Sequence, residues 1–322
     1  MGLDLPRRNI APWISGVLTL ALVVLIVAHL GTLEAFARLI LTLQPAWFLL
    51  AVVAQVGTYV SASLAWARTL RRAGHPRPLR LLVPLGVAKL FTDQIVPSGG
   101  VSGAILVTRA LTRRGVPTDA AMAVLLVGLV SYFAAYLIVV IASLALLWVH
   151  HSVNAAFFAP VGIFIVVVVV IPSGILSMKE WGPRLLARWV RRLPGAARLL
   201  QAIADAPTDL VRDLRLLAQT VPLELAVFAL DAVTLWLVLR GLSQQPPLWV
   251  AFVSFVAASM AATLGPVPLG LGTFEAAGIA MMRLLGITIE GALAGTLILR
   301  GLTFWLPMLP GLWLARREIV SE

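Results

Sequence analysis

The chain of 322 residues is 60% hydrophobic and only 12% charged. A soluble domain is about 45–50% apolar and about 25% charged, and no interior of this size can hide the excess from water, so the solvent for much of the chain is lipid. Cysteine is absent, which excludes disulfide scaffolds, thiolate metal sites and cysteine nucleophiles. The four histidines, two of them adjacent, offer little to a metal, and neither a metal nor a cofactor is expected. The formal charge of +11 fits either a nucleic-acid partner or orientation by positive loops, and the position of the charges decides between them.

In chain order, the first charge-free run lies between Arg8 and Glu34. It is longer than a signal-peptide core and no small-residue cleavage site follows it, so an uncleaved span over 10–31 is expected. A second span is expected over 45–67. The long charge-free stretch after Asp119 is interrupted at His150-His151-Ser152-Val153-Asn154, giving spans at 119–149 and 156–177. A fifth is expected over 221–241 and a last over 289–315. Two further apolar stretches, 81–111 and 248–285, are broken internally. Lys89, Asp93 and Pro97-Ser98-Gly99-Gly100 break the first, and the run from Gly265 to Gly272 with Pro266 and Pro268 breaks the second. Proline removes a backbone donor and glycine loosens the chain, so neither stretch can be one helix, and each half is too short to cross alone. Irregular backbone at membrane depth is tolerated only where protein or a wet cavity surrounds it. Two re-entrant hairpins with elbows at Pro97 and at Pro266 and Pro268 are therefore expected; breaks in interfacial loops between short tilted spans are the alternative.

Six full spans with both termini cytoplasmic place every Lys and Arg on inner segments except Arg38, Arg240, Arg283 and Arg300. That segregation is the positive-inside bias, and it removes the need for nucleic acid. The segment 178–220 reads as a cytoplasmic amphipathic linker. Trp181, Leu185, Leu186, Trp189, Val190 and Leu193 recur at helical spacing between arginines, and a second short helix follows Pro207. Attraction to anionic lipid and simple span linking both explain it.

The two broken stretches match each other at an offset of 171 without gaps. Thr92, Val96, Pro97, Gly99 and Gly115 meet Thr263, Val267, Pro268, Gly270 and Gly286, and Asp119 meets Glu290. With an odd number of spans between them, the hairpins enter from opposite sides, so an inverted repeat centred on 81–149 and 248–315 is expected.

Ionisable groups within a membrane are costly and usually functional. Arg300 falls near mid-depth of the last span, and Glu275 follows the second elbow. Lys89 and Asp93 share a face of the first half-helix. Asp231 and Glu224, seven apart on the fifth span, are candidates for a coupling proton. Arg283 and Arg240 lie near helix ends, where they can snorkel. Arg300 and Glu275 admit two readings: a structural ion pair, or a site for an anionic head group in which Glu275 orients the guanidinium. Half-helices beginning after Gly99 and Gly100, or after Gly270 and Gly272, would add N–H groups aimed at an anion. No zinc-type histidine pair, nucleotide loop or Ser/His/Asp set occurs, so no enzyme is expected.

Three motifs resemble one family. The run from Pro266 to Glu275, the run Arg300-Gly301-Leu302-Thr303-Phe304-Trp305-Leu306-Pro307 with Gly311 after it, and the run from Pro97 through Arg109 to Gly115 are similar to the flippase-like membrane domain of lysylphosphatidylglycerol synthases. The resemblance implies one transmembrane domain over 1–322 that moves a lipid with an anionic or phosphate-bearing head group between leaflets. Aminoacyl-phosphatidylglycerol and polyprenyl-phosphate-linked types are the implied lipids. It implies a bacterial or archaeal cytoplasmic membrane, a lipid-modifying synthase as a candidate partner, and Glu275, Arg300 and the two elbows as the functional set. The soluble aminoacyl-transferase domain is expected to be absent. Leu269 and Leu271 stand where a double glycine is common, which implies a less open elbow. The alternatives are a small-solute or ion transporter on the same architecture, or a non-transport membrane partner of a synthase.

Overall fold

The computed structural model describes residues 43–95, 101–150, 161–166, 168, 170, 208–265 and 268–320. The expected first span 10–31, most of 156–177 and most of the linker 178–220 lie outside these residues. So do Pro97, Gly99, Gly100 and Pro266. The described residues are helical, without a strand among them. The helices are α1 (Pro45–Arg72), α2 (Leu79–Ile95), α3 (Val101–Thr112), α4 (Thr118–Val149), α5 (Leu214–Gly241), α6 (Leu248–Leu264), α7 (Thr273–Leu284), α8 (Ile289–Arg300) and α9 (Leu306–Val320). A single turn, Thr208–Val211, precedes α5, and a π-helical turn, Gly301–Trp305, joins α8 to α9.

Four helical stretches are long and apolar enough to cross a membrane: α1, α4, α5 and the continuous run Ile289–Arg316. Their boundaries follow from local chemistry. Proline at the first turn opens α1, where its missing N–H costs nothing. Gly74, at φ +81°, closes it, with the His75 N–H donating to Leu70 O at 2.9 Å. Asp213 caps α5 by accepting from the N–H groups of Arg215 and Leu216. That cap starts α5 seven residues before the expected edge at 221, and Pro222 lies inside the helix. The expected second helix after Pro207 is accordingly one turn.

Large apolar side chains such as Leu49, Val53, Val56, Ile141 and Leu309 are exposed, each 52% or more, as lipid-facing surfaces require. Several polar side chains inside pair between helices. Ser131 and Thr220 share a hydrogen bond of 2.7 Å between α4 and α5, and Ser61 of α1 donates to Leu223 O at 2.8 Å. The most extensive pairing is α1 against α5, closed by Gly57 beneath Leu230 and by Trp47 edge-on to Trp236.

The broken stretches form two pairs of short helices, α2 with α3 and α6 with α7. The last span bridges them. Gly311 of α9 lies against Phe91 and Val87 O of α2, and Gly278 of α7 faces Thr296 of α8. Helix boundaries recur at the same offset of 171: α4 shifted by it covers Ile289–Val320, the range of α8 through α9, and the other three helices land within two residues of α5, α6 and α7.

Candidate functional site

The second elbow folds back on the helix that enters it. A Cβ at Gly265 would meet Thr273 Oγ1 at 2.9 Å, and one at Gly270 would overlap Ala262. Gly270 and Gly272 have φ of +65° and +84°, accessible to glycine at no cost. Leu269, at φ +64°, holds the left-handed conformation without that freedom.

The strained residue is gripped. Arg300 Nη2 donates to Leu269 O at 3.1 Å, and Arg300 Nε donates to Glu275 Oε1 at 2.7 Å. The other carboxylate oxygen of Glu275 accepts from the Gly272 N–H at 2.7 Å. The guanidinium also lies over two rings, with Cζ 4.6 Å from the Phe274 centroid and 5.1 Å from that of Phe304. The pair is largely but not wholly enclosed: the side chains of Arg300 and Glu275 are 12% and 21% exposed. Nη1 of Arg300 has no hydrogen-bond partner among the described residues. Arg300 ends α8, and the π turn follows immediately, bringing Phe304 back beneath the guanidinium.

The first helix pair holds a comparable group. Lys89 Nζ lies 2.7 Å from Asp93 Oδ2, and Asp93 Oδ1 accepts from the Gly103 N–H of α3 at 2.8 Å. A Cβ at Gly103 would sit 2.5 Å from that oxygen, so the close approach needs glycine. Both half-helices therefore start with one amide already bound to a carboxylate of their own pair. The expectation of free N–H groups at each start needs that correction: the amides of Gly103 and Gly272 are occupied.

Glu224 and Asp231 lie apart from the Arg300 pair. Glu224 is 7% exposed on α5, with Lys89 as its nearby opposite charge. Gln55 and Tyr59 of α1 face Asp231, and Tyr132 of α4 lies near both acids. Tyr59 Oη and Gln55 Oε1 are buried without a partner among the described residues. Arg283 donates to Ile287 O at 2.9 Å in the turn that follows its helix, and Arg240 lies over Trp236. Sequence reasoning missed Leu269 as an acceptor, the two phenylalanines, and the Gln55 and Tyr59 neighbours of Asp231. Phe304 was findable, since it follows Arg300 by four residues and so shares its helix face; the others depend on contacts between elements.

A broken-helix membrane protein with a guanidinium held at a strained elbow is the class these features define. The chain matches the family model for the lysylphosphatidylglycerol synthase TM region over residues 13–311, and it belongs to that family. The family is one of membrane proteins linked to lipid modification or flipping. A search of curated proteins gave no match.

Proposed function

We propose that the protein is a lipid flippase, moving a lipid with an anionic or phosphate-bearing head group between leaflets of the cytoplasmic membrane, and that it performs no chemistry on the lipid. The observation that carries this reading is the double hold on the Glu275 carboxylate. Arg300 Nε and the Gly272 N–H converge on one anionic group at 2.7 Å each. That is the donor set of an anion site, a guanidinium beside a helix N-terminus. A phosphate oxyanion presents the same acceptors, and Nη1, without a partner among the described residues, can donate to a further oxygen. Head-group phosphate exchanging with Glu275 would release the carboxylate and load the site while the acyl chains stay in the bilayer.

The two helix pairs are read as re-entrant hairpins of an inverted repeat with both termini cytoplasmic. The shared offset of helix boundaries and the packing of α1 on its counterpart α5 support that reading. Lys89 and Asp93 form the matching anion position of the first hairpin. Glu224 and Asp231, acids within a span, are the candidates for a coupling proton.

The test is transbilayer movement of fluorescent phosphatidylglycerol and lysyl-phosphatidylglycerol in proteoliposomes. Wild-type protein should accelerate at least one, and Arg300→Ala should reduce that rate at least tenfold with folding intact. Equal rates for the two proteins would refute the site. Uptake of a water-soluble ion with no lipid movement would favour the small-solute transporter instead.

A further inference from the structure

Where α1 ends and α5 begins, four arginines line one open cleft of about 310 Å³. Arg68, Arg71 and Arg72 are three and four residues apart and share a face of α1. Arg215 and Gln219 share a face of α5, with Leu216 beside them. Among the described residues, one carboxylate reaches the group. Asp213 accepts from Arg72 Nε at 2.7 Å through Oδ2, while its Oδ1 accepts from the backbone N–H groups of Arg215 and Leu216 at 2.9 and 3.2 Å. Its oxygens are thus committed to one guanidinium and to the helix cap. The side chains of Arg68, Arg71 and Arg215 form no ion pair or hydrogen bond among the described residues.

The positive-inside bias asks only that basic residues collect at one end of the spans. It does not ask guanidinia from two helices to converge. Four exposed guanidinia around one cleft, with one carboxylate among the described residues, raise a positive potential there that an anion would lower. Guanidinium forks match the oxygens of phosphate in shape as well as charge. The last turn of a membrane span is also the level at which lipid head groups lie.

We propose that this cleft is a second binding site, separate from Arg300, for a phosphate monoester or diester, carried either by a membrane lipid head group or by a soluble phosphate compound. Arg68, Arg71 and Arg215 are the ligating side chains, and Arg72 is held in position by Asp213.

The experiment uses the full chain in phosphatidylcholine nanodiscs, titrated calorimetrically with inorganic pyrophosphate and with dihexanoyl phosphatidic acid. Wild-type protein should bind at least one probe, and the triple variant Arg68→Gln/Arg71→Gln/Arg215→Gln should bind it at least tenfold more weakly. The control triple Arg80→Gln/Arg109→Gln/Arg316→Gln removes the same charge outside the cleft and should bind as wild type. Binding of both probes identifies the phosphate as sufficient; binding of the lipid alone identifies a head group with its glycerol. If the triple variant fails to fold, Arg71→Gln alone should weaken binding about threefold. The binding component that the triple variant loses should persist in the Arg300→Ala protein. The proposal is overturned if neither probe binds wild type, if the control loses as much as the triple variant, if Arg71→Gln leaves binding unchanged, or if Arg300→Ala abolishes it.

Discussion

The two helix pairs solve the same problem with different parts. Each ends in a glycine of positive φ, Gly115 at +76° and Gly286 at +92°. Each then returns a hydrogen bond to the helix just left, Val116 N–H to Leu111 O at 3.1 Å and Ile287 N–H to Met282 O at 2.9 Å. Each also sets a carboxylate and a cation at the start of its second helix. In the first pair the acid and the base are Asp93 and Lys89, one turn apart on α2. In the second, Glu275 sits on α7 and its partner Arg300 comes from α8. Their positions are not equivalent: an offset of 171 pairs Lys89 with Met260, Asp93 with Leu264, Glu275 with Ala104 and Arg300 with Leu129. The ion pair of the first is therefore self-contained, whereas that of the second ties its elbow to the last span. Any movement of α8 away from the second elbow must break an ion pair and the hydrogen bond from Arg300 to Leu269 O. No such cost attaches to the first.

The comparison breaks most readily at the glycines. Gly270→Ala should cost about 3 kcal/mol, because the new Cβ overlaps Ala262 and φ is +65°. Gly103→Ala should cost less, about 1.5 kcal/mol, since the Asp93 carboxylate it meets can swing away at the loss of one charged hydrogen bond. Thermal unfolding in detergent measures both, and equal losses would erase the distinction drawn between the elbows.

Removing the cations sharpens it next. Arg300→Ala should destabilise by about 2 kcal/mol, a value reduced from that of a fully buried pair because both partners keep some exposure. Lys89→Ala should cost below about 1 kcal/mol, as expected of a more exposed i,i+4 pair. Arg300→Lys should recover little, because an ammonium lacks the fork that reaches Glu275 and Leu269 O together.

A smaller difference lies at the exits of the pairs. Thr288 caps α8 by accepting from the Gly291 N–H at 3.1 Å, while Pro117, at the same offset, makes no side-chain cap for α4. Thr288→Ala should cost about 1 kcal/mol.

The smallest effect lies outside both pairs, at Asp213. The Arg72 side chain and the α5 amides hold its carboxyl below the usual carboxylate range. A depressed folded-state value means that its stabilisation is present above the ordinary carboxylate pKa, about 3.9, and is lost as pH falls through the folded value. Wild-type melting temperature should therefore fall on acidification further than that of Asp213→Asn, which has no carboxylate to protonate at this position.

Much of this architecture was legible in the residues. Charge-free runs located α1, α4, α5 and the last span to within a few residues, except at the start of α5. There the Asp213 cap opens the helix before the last charge has passed, so a rule based on charge placed the edge too late. Lys89 and Asp93 were readable as neighbours because one helix spaces them. Proline and glycine marked the second elbow, yet its conformation was not readable, since leucine at position 269 gives no local signal for a left-handed turn. The folded elbow pairs it with the hold of Arg300 on its carbonyl.

Composition and spacing were enough to establish a lipid-solvated, helical chain and, among the described residues, the approximate extent of four long apolar helices and the second break in the backbone, because each depends on neighbours within a few turns. The choice of partners came from three-dimensional packing. Arg300 meets Glu275 across 25 residues of chain, and Asp213 meets Arg72 across 141. No helical period links such positions; the bundle brings them within hydrogen-bond distance, and with them the enclosed guanidinium and the four-arginine cleft.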